Sequence, residues 1–332
     1  MKYKVGLAGY GIVGKRRAFF IDKHPLLQLK AVCDINLKEK NNIPSDCTFH
    51  SNHMDLLNEE LDIIFICMTN DIAPEVTIQS LKRGLHVFCE KPPGRNVYDI
   101  EKVIREEKKN KDLVLKYGFN HRYHDSVMLA KKKIESGDFG EIINLNGIYG
   151  KSRIVSFDGG WRSKKEISGG GILLDQGIHM LDLIRFFAGE FNEIKSFTSN
   201  NFWNFDVEDN AYALMRNKSG VVAMLNSSAT LWEHKFNLRI SLTKGFIQLS
   251  GLLTSSKSYG EERLISYQHD SRNLSNNHHK TEYKFNEDNS WILEIQEFIE
   301  CVEKSLKPKY GTSKDALETM KLVYAIYLDD QS

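Results

Sequence analysis

Three residues that can accept or transfer protons recur at helical spacing in one segment: Asp175, His179 and Asp182. Residues three or four positions apart on an α-helix share a face, so the spacing predicts that these side chains lie together. Most surrounding positions are apolar, which predicts a buried helix within residues 169–189. A buried carboxylate or imidazole must be paired or functional. On these residues alone, proton transfer and a purely structural polar pair are equally good interpretations.

The same residue types can bind a divalent metal ion. Zinc sites use three or four protein ligands at suitable spacing, and no convincing third ligand accompanies Asp175 and His179, so we predict no metal site. Gly177 lies in the same segment, where glycine costs about 1 kcal/mol relative to alanine in a helix. Its presence predicts the close approach of a ligand or of another backbone segment.

A lysine follows an apolar strand at a position where ligands commonly bind. The pattern 85–89 predicts a strand, and Glu90, Lys91, Pro92 and Pro93 follow it. Ligands of open parallel sheets lie outside the carboxyl ends of the strands, so Lys91 is expected to face a ligand cleft. A single lysine at a strand end is more often a solvated surface group, so this signal is weak alone.

Gly9, Gly11 and Gly14 form a complete G-x-G-x-x-G motif between an apolar strand and a helix. The first glycine permits a tight turn, the second lets a pyrophosphate approach the backbone, and the third lets helix and strand pack closely. The helix N-terminus at Ile12 and Val13 offers unpaired N–H groups to the phosphates. The motif in this context predicts a dinucleotide site.

Asp34 ends the next predicted strand. A carboxylate there can accept hydrogen bonds from the ribose hydroxyls and would repel a 2′-phosphate, which favours NAD over NADP. The alternative is an acidic residue at a solvated strand end.

Strand and helix patterns alternate over residues 1–120, which predicts a Rossmann domain with a doubly wound parallel sheet. Residues 121–332 are predicted to form an α+β domain with a large, mostly antiparallel open sheet, because long stretches there alternate with period two. Residues 256–289 are polar and predict loops with a short strand or two. Two helices are predicted to close the chain, and the last, at about 313–328, is a candidate to pack back on the first domain. The predicted strands of the second domain are 142–149, 209–215, 221–230, 237–243 and 245–250.

Bulk composition excludes some classes of protein. The chain has 332 residues, 45 basic and 44 acidic, and a net charge of +1, which does not indicate a nucleic-acid or membrane partner. No apolar run approaches the roughly 20 residues of a membrane span, and no signal peptide is evident. Five scattered cysteines without C-x-x-C spacing are typical of thiols in a reducing cytoplasm.

The residues together resemble the glucose–fructose oxidoreductase/inositol dehydrogenase (Gfo/Idh/MocA) family along nearly the whole chain. Glu-Lys-Pro at 90–92 combined with Gly-Gly-Gly at 169–171 and the later aspartate, histidine and aspartate is a specific combination. The segments that carry the resemblance are 9–14, Asp34, 84–92, 118–122, 137–142, Trp161-Arg162 and 169–182.

The resemblance implies an NAD-dependent oxidoreductase that transfers a hydride between the cofactor and a hydroxyl or keto carbon of a sugar, sugar acid, cyclitol or nucleotide sugar. It implies that Lys91 stabilises the developing alkoxide, that His179 is the general base and that Asp175 orients His179 or a neighbouring substrate hydroxyl. Glu90 and Lys91 are expected to contact the cofactor as well. Further substrate contacts are expected from Asn120, Arg122, Trp161 and Arg162.

The chain departs from the family pattern after the fourth strand. The family usually has Thr-Pro-Asn there and a histidine three residues on, whereas this chain has Met68-Thr69-Asn70 and Ala73. Asn70 keeps its place and is expected to contact the cofactor. Pro93 stiffens the turn after Lys91.

Two alternatives to this dehydrogenase remain open: a non-catalytic NAD- or sugar-sensing regulator on the same scaffold, and a reductase of a non-sugar ligand. Sensors resembling the family tend to lose the lysine and the histidine, and here Lys91 and His179 remain. A non-sugar ligand favours a more apolar pocket than Asn120, Arg122 and Asp175 provide.

Two surfaces are predicted to bind partners. The basic segment from Lys151 to Lys165 is either an anion-binding pocket mouth or a solvated loop. The antiparallel sheet has more apolar positions than one face needs, which predicts a homodimer or homotetramer through that sheet, unless helices cover one face and water the other. The apolar positions concerned are Tyr212, Leu214, Val222, Met224, Leu225, Phe236, Leu238 and Ile240.

Overall fold

The computed structural model describes residues 2–153, 160–254, 258–269 and 278–331. Residues 154–159 of the basic segment, and 256–257 and 270–277 of the polar segment, therefore lie outside the described residues. The chain divides into two compact units: Met1–Phe119 with Trp291–Leu317, and Asn120–Ser290 with Glu318–Ser332. The sequence-based division at residue 120 kept residues 291–317 with the second domain, whereas the structure assigns them to the first unit.

The first unit contains a six-stranded parallel sheet among its described residues. The strand order is β3-β2-β1-β4-β5-β6, with the direction of winding reversed between β1 and β4, as in a Rossmann fold. Strand β4 is fully buried, as its continuous apolar sequence requires. The strands are β1 (Tyr3–Ala8), β2 (Leu27–Cys33), β3 (Thr48–His50), β4 (Ile63–Ile66), β5 (His86–Glu90) and β6 (Leu115–Gly118).

Helices connect these strands, and their ends follow local sequence signals. Asn52 and Asn96 each precede a helix and accept a hydrogen bond from a backbone N–H of its first turn. The helices are α1 (Ile12–Lys23), α2 (His53–Leu56), α3 (Ala73–Lys82) and α4 (Val97–Glu107).

Helix α8 (Ser290–Lys304) belongs almost entirely to the first unit because its apolar side chains complete that unit's core. The Phe298 ring lies 5.8 Å from Phe65 and 5.5 Å from Phe88, both edge to face, and Ile295 and Ile299 join the same buried cluster. Burying this apolar surface favours packing by roughly 25 cal/mol per Å².

The second unit contains an eight-stranded sheet within the described ranges, in the order β14-β13-β12-β11-β7-β10-β9-β8. All neighbouring pairs are antiparallel except β7 with β10, so the predicted mostly antiparallel sheet is confirmed. The strands are β7 (Ile142–Ser152), β8 (Phe191–Ser199), β9 (Asn210–Asn217), β10 (Val222–Leu231), β11 (Lys235–Leu242), β12 (Gly245–Ser250), β13 (Glu262–His269) and β14 (His278–Phe285).

Strand β8 was not predicted, and β13 and β14 are longer than the short strands expected within residues 256–289. Strand β8 lies at the sheet edge, and a register shift between Phe191 and Glu193 breaks its alternation of buried and exposed positions. Such an irregular pattern gives little periodic signal in the sequence.

The remaining helices of the chain are α5 (Asp125–Glu135), α6 (Lys165–Ser168), α7 (Ile178–Ala188) and α9 (Ser313–Asp330). A π-helical turn, Leu173–Gly177, leads directly into α7. A Cβ on Gly177 would lie 2.8 Å from the Ser227 hydroxyl and 3.0 Å from a Leu173 methyl, so crowding by strand β10 and by the segment itself explains this glycine. No helix among the described residues combines the length and apolarity needed to cross a membrane.

Candidate active site

The glycine loop of the first unit has the shape that a dinucleotide requires. Gly9 has φ +92°, and a Cβ there would lie 2.4 Å from the Cys67 carbonyl oxygen. A Cβ on Gly14 would lie 1.9 Å from the Gly9 carbonyl oxygen, so this position requires glycine for packing. Gly11 instead faces open space, with no atom within 4 Å of a Cβ built on it. Close packing at two glycines and open space at the third fit a pyrophosphate at this loop.

Helix α1 presents its N-terminus at the same loop. It begins at Ile12, which is exposed, and Gly11 provides no side-chain cap. The first turn contains no acidic side chain that would repel a phosphate. Its N–H groups and positive dipole end therefore match the charge of a bound pyrophosphate.

Asp34 lies beside the glycine loop, directly after β2. Its carboxylate accepts a hydrogen bond from the Tyr10 backbone N–H at 2.6 Å and another from the Asn36 N–H at 2.8 Å. Both bonds hold the carboxylate beside the loop, where the sequence places the ribose acceptor. Asp34 is partly buried, so it differs from the solvated strand end considered as the alternative.

The other predicted cofactor contacts of this unit lie at the ends of β4 and β5. Asn70 is buried in the turn between β4 and α3. Glu90 is the last residue of β5 and accepts a 2.6 Å hydrogen bond from Arg17. Lys91 follows it and is partly buried. The carboxyl ends of parallel strands are where a doubly wound sheet binds its ligand.

His179 is the centre of a polar cluster in the second unit. It lies on α7, is 5% exposed, and stacks on His121 with ring centroids 3.7 Å apart and planes 14° from parallel. His121 comes from a short 3₁₀ turn, Asn120–Tyr123. The stacked ring restricts the orientation of the His179 imidazole.

Hydrogen bonds fix His121 in turn. Its Nε2 lies 3.1 Å from the Tyr149 hydroxyl and its Nδ1 lies 3.1 Å from the Asn120 side-chain oxygen. Burial raises the pKa of Tyr149 well above 10, so the phenol keeps its proton at neutral pH and can donate it to Nε2. The Nδ1–H then donates to Asn120, whose amide donates to Ser290.

Asp175 lies in the π-helical turn before α7 and is bound by two cations. Lys151 Nζ lies 3.2 Å from one carboxylate oxygen and Arg162 Nε lies 3.3 Å from the other. The Arg162 guanidinium also stacks on the Trp161 ring, 4.4 Å from its centroid. Two basic residues of the segment proposed to bind anions thus share one carboxylate.

Glu208, in the loop between β8 and β9, binds the start of the π-helical turn. Its carboxylate accepts hydrogen bonds from the backbone N–H groups of Gly171 and Leu173 at 2.8 and 3.0 Å and from the Tyr327 hydroxyl at 2.8 Å. Burial raises the pKa of Glu208, although these donors oppose the shift. The carboxylate satisfies N–H groups that the start of the helix leaves unpaired.

Asp182 belongs to a different group from Asp175 and His179. It forms two 2.7 Å hydrogen bonds with Arg122 and accepts a third, of 3.2 Å, from Thr319. Arg122 is 3% exposed and Asp182 is fully buried. The three residues were predicted to lie together on one helix face, but the contacts of Asp182 are separate from those of Asp175 and His179. Asn120 and Arg122 are both buried, where Asn120 contacts His121 and Arg122 pairs with Asp182, and their substrate contacts stay a prediction.

Sequence reasoning missed His121, Tyr149 and Glu208. His121 follows Asn120, which the resemblance already singled out, so its imidazole was the available signal. Tyr149 and Glu208 reach the cluster from a strand and from a loop, and local sequence carries no signal for either contact. Within the described ranges, no group of three or more His, Cys, Asp or Glu side chains is placed to hold a metal ion.

Comparison with known proteins identifies both units. The family model "Oxidoreductase family, NAD-binding Rossmann fold" matches residues 3–119, and the model "GFO/IDH/MocA C-terminal domain" matches residues 127–248. Together these matches cover most of the chain, including the glycine loop and the π-helical turn.

Several curated relatives are dehydrogenases by name. Levoglucosan dehydrogenase of Pseudarthrobacter phenanthrenivorans is 28% identical over 59% of this chain, and the match spans only about half of that protein (53%). Myo-inositol 2-dehydrogenase of Thermotoga maritima is 28% identical over 74% of each protein. D-glucoside 3-dehydrogenase of Escherichia coli is 28% identical over 69% of this chain and 70% of that protein.

Solved structures share the fold over the full chain. Levoglucosan dehydrogenase in complex with NADH matches with a TM-score of 0.87 and 20% identity, covering 100% of this chain and 97% of that one. Myo-inositol 2-dehydrogenase from Lactobacillus plantarum matches with a TM-score of 0.83 and 23% identity, covering 100% and 98%. The predicted fold class, NAD-binding domain and oxidoreductase class are thereby confirmed. The chain belongs to the Gfo/Idh/MocA family of oxidoreductases, with an NAD-binding Rossmann fold.

Proposed function

We propose that this protein is an NAD-dependent dehydrogenase or reductase acting on a ring hydroxyl of a neutral sugar or cyclitol. The observation that carries the proposal is the buried His179, stacked on His121 and one turn from the doubly ion-paired Asp175. The relatives named for levoglucosan, inositol and D-glucosides support a ring polyol as the substrate.

His179 is proposed as the general base. A histidine imidazole can take up a proton near neutral pH, and the stacked His121 ring holds the orientation of the His179 ring. Lys91 is assigned to donate a hydrogen bond to the reacting oxygen and to stabilise its negative charge. Bound NAD supplies the hydride acceptor. The assignment of Lys91 and His179 to one hydroxyl comes from the family resemblance.

Asp175 is proposed to accept hydrogen bonds from neighbouring substrate hydroxyls, and Arg162 and Trp161 to line the same region. Lys151 and Arg162 compensate the Asp175 charge, so less of their positive charge remains for an anionic ligand. This pairing supports a neutral polyol over a uronate or a nucleotide sugar.

A substrate screen tests the proposed function. The protein is incubated with NAD and levoglucosan, myo-inositol or methyl glucosides, with glucuronate and UDP-glucuronate as anionic comparisons, and NADH fluorescence is followed. Reduction of the matching keto compounds with NADH covers the reverse direction. We expect turnover of at least one neutral ring and weaker turnover of the anionic compounds. NADH binding without turnover of any ring, in either direction, would refute the proposal.

We further propose that Asp34 selects NAD over NADP and that Asn70, Glu90 and Lys91 contact the cofactor. The support is the position of Asp34 beside the glycine loop, where a 2′-phosphate would meet its negative charge.

A homo-oligomer through the second unit's sheet is also proposed. Phe197 is 75% exposed and Leu214 is 54% exposed, and Tyr212, Val222 and Met224 are exposed on the same three neighbouring strands. Leu214 pairs in register with Met224, and Phe197 with Tyr212, so the apolar side chains form one patch. Leu225, Phe236, Leu238 and Ile240 are buried on the opposite face. A second copy of the chain is the proposed cover for the exposed face.

The cytoplasm is the proposed location. Cys33, Cys89 and Cys301 are buried free thiols, and Cys47 and Cys67 are partly buried free thiols, which suits a reducing compartment.

A further inference from the structure

A buried ionic chain in the first unit connects the helix of the glycine loop to the strand end that carries Lys91. Arg17 lies on α1, Glu90 ends β5, and Glu294 lies on α8. Arg17 Nε donates to Glu90 Oε1 at 2.6 Å, and Arg17 Nη2 donates to Glu294 Oε2 at 2.7 Å. Arg17 and Glu294 have no exposed surface. Buried charges are costly unless paired, so this chain favours one arrangement of the three elements.

Packing encloses the Arg17 guanidinium between two aromatic rings. It lies 4.3 Å from the ring centroid of Phe88 and 4.3 Å from that of Trp291. Gly118 completes the enclosure, because a Cβ there would lie 2.8 Å from Glu90 Oε2 and 3.2 Å from Arg17 Nη2. The Glu90 carboxylate is therefore held by an enclosed donor.

We propose that Arg17 and Glu294 are positioning residues for Lys91, acting through the Glu90 carboxylate and the backbone turn that follows it. The inference rests on the proposed function in that it gives the Lys91 ammonium a role in the reaction. Removal of Arg17 would leave the Glu90 carboxylate as an uncompensated negative charge next to Lys91 in the chain.

The protonation state of Glu294 provides a way to observe this coupling. Burial raises the pKa of Glu294 from 4.5 to about 7, against the opposing effects of Arg17 and Lys116. Glu294 therefore changes charge near neutral pH. When Glu294 is protonated, the Arg17 charge is balanced by the Glu90 carboxylate alone, and when Glu294 is ionised both carboxylates share it. The charged and titratable groups around the chain are Arg17, Glu90, Lys116 with its partner Glu297, and Cys67.

The test measures the titration of Lys91 itself in the full-length protein with NAD bound. Lysines are labelled by reductive ¹³C-methylation, and the Lys91 signal is identified by its loss in Lys91→Arg. In the wild type we expect the Lys91 chemical shift to show a small step near pH 7 in addition to its own titration. Glu294→Gln should lose this step. Glu300→Gln should keep it, because Glu300 lies on the same helix and pairs with Lys304 at the surface. Arg17→Met should raise the Lys91 pKa by roughly 0.5 unit or more, since an opposite charge nearby favours the ammonium form.

A Lys91 titration that is unchanged in Glu294→Gln would overturn the proposal, and so would a step near pH 7 that persists in that variant. Glu294→Gln is nearly isosteric and decides the question even if Arg17→Met does not fold. The result is independent of turnover. A wild type that oxidises no ring alcohol refutes the proposed function, whereas the Lys91 titration alone decides the positioning role.

Discussion

Replacing Asp182 and Asp175 separately by asparagine should produce opposite effects, although the two residues lie on one segment. Asp182→Asn is expected to destabilise the second unit strongly, because Arg122 would remain buried with half of its partner's acceptors and none of its charge. Asp175→Asn is expected to change stability little and turnover greatly.

The expected magnitudes follow from burial and hydrogen bonding. Asp182 makes two 2.7 Å bonds to Arg122 and both groups are buried, and breaking such a pair costs about 3–5 kcal/mol. The asparagine oxygen can keep one of the two bonds, so the lower end, about 3 kcal/mol, is expected. Asp175 pairs with Lys151 and Arg162 in a partly exposed position, where ion pairs contribute roughly 0–1 kcal/mol. Its effect on kcat/KM should approach about 10²-fold, the usual cost of misplaced substrate.

Urea unfolding followed by tryptophan fluorescence measures the first quantity, since Trp161, Trp203 and Trp232 all lie in the second unit. Steady-state kinetics on the best substrate of the screen measures the second. Equal stability losses in the two variants, or a larger loss in Asp175→Asn, would refute the separation of the two aspartates into structural and functional groups. A turnover loss confined to Asp182→Asn would refute it as well.

The remaining predictions concern catalysis, cofactor choice, assembly and pH. Lys91→Ala and His179→Ala should each lower kcat by about 10²–10⁴-fold. The Kd of NADH, measured by fluorescence titration, should stay nearly unchanged in both variants. Wild-type turnover in both variants would contradict the assigned chemistry. Asp34→Ala should weaken NAD binding and strengthen NADP binding relative to the wild type, and an unchanged preference would remove Asp34 from cofactor selection. Leu214→Glu should lower the mass measured by light scattering to that of a smaller assembly, whereas Lys218→Glu, at another exposed position, should leave the mass unchanged. An unchanged mass in Leu214→Glu would exclude this sheet face as the interface. Burial raises the pKa of Glu294 from 4.5 to about 7, so between these pH values the folded state binds a proton that the unfolded state does not. The free energy of unfolding should therefore fall as the pH rises from about 4.5 to 7. Glu294→Gln should lack this fall, and an identical pH dependence of stability in the two proteins would contradict the prediction.

Much of the first unit could be predicted from the sequence because its turns, helix starts and buried strands are specified by residues that are close together in the chain. The tight turn at Gly9, the close packing at Gly14 and the start of α1 depend on residues within one strand–turn–helix unit. The continuous apolar run at β4 predicts a strand buried on both faces regardless of its neighbours. Asp34 could be predicted too, because its distance along the chain from the glycine loop is set by one crossover helix.

Contacts between distant parts of the chain could not be predicted from the sequence. Asp182 and His179 are three residues apart, yet one pairs with Arg122 and Thr319 and the other stacks on His121. Helical spacing gives a shared face, but the partner that each side chain meets depends on which turn or helix packs against it.

The sequence alone thus determined the family, the Rossmann architecture and the residue types able to bind a dinucleotide and move a proton. The tertiary structure decided which of those polar residues are committed to buried pairs, as Arg122 is, and which are oriented by neighbours, as His179 is. It also brought α8 into the first unit and Glu294 against Arg17. The physical reason is that patterning within an element follows from its own period, whereas the pairing of buried charges follows from the packing of elements that are far apart in the chain.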